Sequence, residues 1–321
     1  MPMRRSIILV ATILLLTACS PIGGGSADTQ IVLTVDGHDV TYDEYRYFYL
    51  NTKLDMSGGD PDFWTRDNEM KLNQAVIDVL KKNYAVYKLA EKYNIKVDSV
   101  MKKEINEKVK TTIEHYGGED EYYEVLSAYF MTGNVYRNVL ELFALDAKLR
   151  GHLMAEYSGD ILADDKTVEE DFYKNFAHVV HIMLMHNNGK TFDQNKADAE
   201  ELRRRAVSGE DFNALIAEYN QDPGYDDRYG YYMTYGEYDQ IFEEASFALA
   251  TGEISGVVRT SQGYHVIKRL ALDPAYLDTH YESVRKTYKT RVINERIEET
   301  AVGIEVKFSE LYDTISVGTM E

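Results

Sequence analysis

Histidine is the side chain in this sequence with the most obvious chemistry to offer. His178, His181 and His186 crowd one stretch, and His265 lies far downstream. A metal site is the first reading to weigh. Alternation along an extended segment puts His178 and His181 on opposite faces. No cluster of Cys or Asp completes a tetrahedral set, so no metal is expected. Nucleophilic catalysis fares no better. Ser208 and Ser255 sit in helix-end or turn contexts with no base in register. Arg203-Arg204-Arg205 reads as the solvated face of a helix. What remains is a pair of histidines on inward strand faces, His181 with Met183 and Met185, and His265 with Ile267. Periodicity alone leaves two readings of that pair: a buried couple that orients two strands, or part of a site.

The surrounding elements must bring the two histidines together. His178 to Met185 reads as a strand, followed by a turn at Asn187-Asn188-Gly189. A helix is expected over Ala197–Val207, and Asp211 caps a second one bearing Phe212, Leu215, Ile216 and Tyr219. Gln221-Asp222-Pro223-Gly224 is a turn, and a Gly/Tyr/Asp loop runs on to Tyr235. Phe242–Leu249 is helical, with Gly252 expected as its C′ residue. Val257–Thr260 and Tyr264–Arg269 read as strands joined by Ser261-Gln262-Gly263. Residues 176–271 therefore read β-α-α-(loop)-α-β-β, enough for a small core of their own.

The flanks are mostly helical. Ile31–Val35 is a strand, and Thr41 with Glu44 forms a capping box for a helix over Tyr42–Lys53. Met56–Asp67 is a loop. Leu72, Val76, Leu80, Tyr84 and Tyr87 recur at helical spacing. Asp98 caps a helix that Gly117-Gly118 stops, and helical pattern returns over 120–131 and Val135–Tyr157. Thr167 and Glu170 form another capping box, opening a helix to Asn175. After Pro274 come a helix with Tyr281, Val284, Tyr288 and Val292, then a last strand over Ile304–Phe308. These pieces have little core individually. The fold expected is α+β, a helical lobe built from the N- and C-terminal segments with the β-α module inserted.

The start of the chain is an address. Arg4 and Arg5 precede an apolar run, Ile7–Leu16, too short to span a bilayer but suited to a signal peptide. Leu16-Thr17-Ala18-Cys19 looks like a bacterial lipobox, whose cysteine is diacylated after cleavage just before it. The alternative is an ordinary secretory signal with an incidental cysteine. Cys19 is the only cysteine, so no internal disulfide forms. Residues 20–28 are Gly/Ser-rich and read as a tether. With 54 acidic against 35 basic residues, the surface repels phosphate backbones, and nucleic acid is not expected as a partner. Twenty-six tyrosines suit amphipathic contact with polypeptide.

The central module resembles the parvulin-type peptidyl-prolyl isomerases. The resemblance rests on His181-Ile-Met183, Gly209-Glu-Asp-Phe212, Glu218-Tyr-Asn-Gln-Asp222, Phe242-Glu-Glu-Ala-Ser-Phe-Ala-Leu249, Gly252-Glu-Ile-Ser255, Thr260 and Gly263-Tyr-His-Val-Ile267, and covers 178–270. With the lipobox and the helical flanks, the whole chain resembles PrsA-like foldase lipoproteins, with SurA-like chaperones the next closest architecture. The resemblance implies a catalytic set of His181, Asp222, Thr260 and His265, and a proline pocket floored by Phe242 with Tyr238 as an altered wall where the family usually has Met. It implies no cofactor. The family's Gly-Gly-Asp-Leu-Gly stretch is replaced here by Asp226-Asp-Arg-Tyr-Gly-Tyr-Tyr-Met233. Lys190 is the one cation of the first strand–helix loop, so no preference for phosphorylated substrates is expected.

The implied organisation is a signal peptide at 1–18, a tether at 19–30, a helical chaperone lobe at 31–175, a parvulin-like domain at 176–271, and a segment at 272–321 that returns to the lobe. The implied function is isomerisation of X-Pro bonds in newly secreted or unfolded polypeptides outside the cytoplasm, on the outer face of the cell membrane through lipidated Cys19. The alternative is a holdase whose parvulin fold binds without catalysis. A homodimer is compatible with the sequence, and no residue specifies one.

Overall fold

The computed structural model describes residues 30–156, 164–226 and 229–320. The signal segment, Cys19 and nearly all of the tether lie outside the described residues. In chain order the elements are β1 (Ile31–Val35), β2 (His38–Thr41), α1 (Tyr42–Ser57), α2 (Arg66–Lys92), α3 (Ser99–Tyr116), α4 (Glu119–Ala128), α5 (Gly133–Glu156), α6 (Asp165–Asn175), β3 (Ala177–Met185), α7 (Phe192–Val207), α8 (Phe212–Tyr219), β4 (Tyr231–Met233), α9 (Gln240–Ala248), β5 (Ile254–Arg259), β6 (Gly263–Leu270), α10 (Pro274–Val302) and β7 (Val306–Phe308).

The chain divides into two compact units. One comprises the described part of Leu9–Lys53 with Phe63–Leu153 and the described part of Glu295–Glu321. It is not purely helical. β7 pairs antiparallel with β1, Leu33 opposite Phe308 and Val35 opposite Val306, so first and last strands share a sheet of order β2-β1-β7. Its helices start and stop where the local chemistry dictates. Thr65 accepts the N–H of Asn68 at the head of α2, and Asp98 accepts those of Val100 and Met101 at the head of α3. Gly117 ends α3 in the left-handed conformation (φ 99°) that a side chain would resist. Ala90 of α2, Met101 of α3 and Leu145 of α5 meet in one buried cluster.

The other unit takes Leu54–Asp62 and the described part of Met154–Asn294. It is larger than 176–271, extending upstream through α6 and downstream into α10. α6 docks Val168 and Phe172 against Leu277 and Val284 of α10. Its sheet has the order β4-β3-β6-β5, all antiparallel. Because side chains alternate along β3, its two faces have different jobs. Val180, Ile182 and Leu184 pack on Leu202 and Ala206 of α7 and Phe212 and Leu215 of α8. Ala177, Val179 and the β6 residue Ile267 pack with Met233 and the α9 residue Phe242. His181 belongs to this second face.

Several local expectations are corrected. The module reads β-α-α-β-α-β-β, because part of the stretch expected as loop forms β4. Gly230 permits this: at φ +62° it brings the chain so close to β3 that a Cβ would stand 2.6 Å from the Val179 carbonyl oxygen. Gly252 is not the C′ residue of α9, which ends at Ala248 with Leu249 already extended. Gly252 turns the chain before β5 and donates its N–H to the Arg269 carbonyl (2.8 Å). Asp164, not Thr167, caps α6, because its carboxylate reaches the Thr167 N–H at 2.7 Å. α7 starts earlier than expected, at a full capping box of Thr191 and Gln194.

Candidate active site

Strand register decides the central contact. His181 lies opposite Ile267 and Met183 opposite His265, so the two histidines are diagonal neighbours on one face of adjacent strands. Their Nδ1 atoms are 3.2 Å apart, and both rings are nearly fully buried. Thr260, at the β5–β6 turn, places Oγ1 2.9 Å from His265 Nε2. Asp222, in the turn after α8, places Oδ2 2.9 Å from His181 Nε2. The four residues singled out in the sequence thus form one connected chain.

The proton positions follow from hydrogen-bond logic. Burial, then the neighbouring His181 imidazole, holds His265 well below the ordinary histidine range. Burial pushes Asp222 up, but hydrogen bonds from His181, Tyr231 and the Gly224 N–H outweigh it and bring the carboxyl down to about 2. An ionised Asp222 only accepts, so His181 Nε2 donates to it. A neutral His265 then has one role for each ring nitrogen: Nε2 accepts from the Thr260 hydroxyl and Nδ1 donates to His181 Nδ1, while His181 Nε2 donates to Asp222. Every dipole then runs toward the same carboxylate, and each bond polarises the next.

An aromatic cup lies against this chain. The Phe242 ring meets His181 and His265 edge-on at 5.2 and 5.3 Å between centroids. Tyr238 lies 6.1 Å from Phe242 and 5.2 Å from Tyr231. Two members were not singled out in the sequence. Tyr231, on β4, donates its hydroxyl to Asp222 Oδ2 at 2.5 Å, and Tyr225 stacks on His181 at 5.8 Å. Burial, then the bond to Asp222, raises the Tyr231 pKa, so the phenol stays protonated and donates. Their signal was the tyrosine-rich stretch itself, which replaces small residues with rings just after Asp222.

The other histidines do different work. His178 faces the opposite side of β3, stacked on Tyr232 at 4.0 Å. His186 sits 3.0 Å from the Thr260 carbonyl oxygen and steadies the turn that carries Thr260. Among the described residues no group of three or more His, Cys, Asp or Glu converges as a metal site would require. Lys190 is paired with Asp198 at 2.5 Å.

Residues 165–271 match the family of PPIC-type PPIase domains. That segment is a parvulin-type peptidyl-prolyl isomerase domain. A foldase protein PrsA of Caldanaerobacter subterraneus subsp. tengcongensis is 26% identical over 96% of this chain and 94% of its own length. One from Staphylococcus aureus is 27% identical over 66% of this chain, and the match spans 62% of that relative. Among solved structures, PrsA from Streptococcus pneumoniae aligns with 91% of this chain and 99% of its own at 19% identity and a TM-score of 0.34. PrsA from Bacillus anthracis aligns with 70% of this chain and 95% of its own at 20% identity and a TM-score of 0.32. The chain carries a peptidyl-prolyl cis-trans isomerase domain in a sequence similar over nearly its whole length to a PrsA foldase, which favours catalysis over the binding-only alternative. No helix among the described residues is long and apolar enough to cross a membrane.

The isomerase domain's chemistry suits these residues. The X-Pro amide is held planar by resonance, with a barrier of about 18–20 kcal/mol to rotation. Rotation breaks no covalent bond. A site has to hold the ring in an apolar cup and present dipoles that favour the twisted amide over the planar one. Each tenfold gain in rate takes about 1.4 kcal/mol of such preference.

Proposed function

We propose that this foldase isomerises X-Pro bonds in secreted polypeptides at the chain of Thr260, His265, His181 and Asp222. The proline ring would sit against Phe242 and Tyr238. The observation that carries this reading is the unbroken run of close contacts from Thr260 through His265 and His181 to Asp222 beside that aromatic cup. Its role is non-covalent. The two histidines, buried between strands, orient the site. Asp222, at its lip, is the group placed to feel the substrate amide as conjugation is lost. In this reading the N- and C-terminal segments form the surface that holds the polypeptide client. Lipidated Cys19 keeps the molecule on the outer face of the membrane, where secreted chains emerge.

The test is isomerisation of a non-phosphorylated X-Pro peptide by wild type and Asp222→Ala, with a thermal melt of each. Asp222→Ala is expected to lose roughly tenfold or more in kcat/KM per folded molecule and to lower the melt as well, because it strips the acceptor from buried His181 Nε2 and from the Tyr231 hydroxyl. Equal rates would remove Asp222 from the site while leaving the fold assignment intact.

A further inference from the structure

One buried carboxylate near the site has no part in the hydrogen-bond chain. Glu243 on α9 is only 3% exposed. It follows Phe242, the pocket floor, but points the other way. Its side chain reaches back past the start of the helix and gathers three backbone N–H groups. Oε2 accepts from Gly236 at 3.0 Å; Oε1 accepts from Glu237 at 2.8 Å and from Tyr238 at 2.7 Å. Residues between β4 and α9 have no strand or helix partners to satisfy these groups, and an unpaired buried N–H is costly. The loop is pinned from its own side as well. Glu237 accepts from the Thr234 N–H at 2.9 Å and from the Thr287 hydroxyl at 3.2 Å. Gly236 turns at φ +90° to allow it. The residue this geometry holds in place is Tyr238, whose ring faces Tyr231 and Phe242.

We propose that Glu243 is a positioning residue for isomerisation: by gathering the N–H groups of Gly236, Glu237 and Tyr238 it fixes Tyr238 as the outer wall of the proline pocket and so sets how tightly an X-Pro substrate is held. The inference rests on the pocket reading above. It also accounts for an oddity of that pocket. A tyrosine is a larger and more rigid wall than an unbranched methionine, so it tolerates less error in backbone position. Three charge-assisted bonds to one carboxylate supply the needed precision. Glutamine cannot replace it. Its amide has the same shape but a single acceptor oxygen, and its NH2 would face an N–H donor.

The experiment measures kcat and KM for a non-phosphorylated X-Pro peptide with the full chain, as wild type, Glu243→Gln, Tyr238→Ala and the double variant. Glu243→Gln is expected to raise KM roughly fivefold to tenfold with kcat within about twofold, because the interaction lost holds ground and transition states alike. Tyr238→Ala is expected to raise KM by a similar factor, and the double variant no further than the larger single effect, since one residue acts through the other. A clamp that mattered only for folding would lower the melt and the active fraction, hence apparent kcat, and leave KM where it was. Should Glu243→Gln fail to fold, Gly236→Ala strains the same loop with the carboxylate intact and is expected to give the same rise in KM. Wild-type KM in Tyr238→Ala would overturn the pocket reading itself. Raised KM in Tyr238→Ala with wild-type KM in Glu243→Gln, or multiplicative effects in the double variant, would overturn the clamp alone.

Discussion

At the scale of single residues, the site is a set of groups kept in one protonation state by their surroundings. Asp222, at about 2, stays ionised through any working pH, so acid should not switch the site off through this carboxylate until roughly pH 3. His265 makes the sharper prediction. Its folded-state pKa is held well below its unfolded value of about 6.5. As pH falls through 6.5 the unfolded chain therefore takes up a proton that the folded chain refuses, and stability drops. Carboxyls with raised values, such as Glu44 at about 7, act in the opposite sense. The effect is accordingly read as a difference between two proteins. The stability gap between wild type and His265→Gln should shrink as pH falls from about 7.5 to about 5, by no more than about 1.4 kcal/mol per pH unit, measured by denaturant melts. A gap independent of pH would mean that His265 can be protonated in the folded state.

At the scale of elements, the short strand β4 matters more than its length suggests. It pairs Tyr231–Met233 with Ala177–Val179 and thereby delivers the Tyr231 hydroxyl to Asp222. Gly230 makes the approach. A side chain there would meet both left-handed strain and contacts of 2.6 Å to the Val179 oxygen and 2.8 Å to a Val180 methyl. Gly230→Ala should cost about 2 kcal/mol or more and lower isomerisation with it. Gly189→Ala is the control. Its φ is also positive, +85°, but a Cβ would meet nothing within 4 Å, so about 1 kcal/mol is expected and activity is retained. Equal melts for the two would show that the close approach is not what holds β4.

At the scale of the whole molecule, what decides function is where the chain works. The catalytic module needs no thiol, and the single cysteine lies just after the segment whose pattern reads as an export signal. Wild type expressed in a bacterial host should partition into the detergent phase on Triton X-114 separation, while Cys19→Ala stays aqueous and lacks the mass of a diacylglyceryl group. A single acyl chain gives only marginal membrane binding and two give stable anchoring, so the shift should be nearly complete. Identical partition and mass for the two proteins would remove the lipid anchor from the proposed function. Isomerisation of a soluble peptide should be the same in both.

The sequence by itself determined the things that are local. Alternation put His181 and His265 on inward faces, Asp98 and Asp211 announced helix starts, and the spacing from His181 to Gly263-Tyr-His265 carried the family resemblance. Tertiary structure alone decided the rest, because it depends on register and on close approach between distant segments. A one-residue slip of β6 against β3 would have turned His265 away from His181. No local pattern distinguishes a tyrosine in a loop from one on a three-residue strand that a glycine has let in against its neighbour. Tyr231 therefore reads as a loop residue until Gly230 brings the chain back to β3, and Tyr225, which stays in the loop, gains its place only by stacking on His181. Glu243 likewise reads as an ordinary helix residue, since glutamate is common on solvent-facing turns. Its role emerged only when a segment a few residues upstream folded back and left three N–H groups with one carboxylate to share.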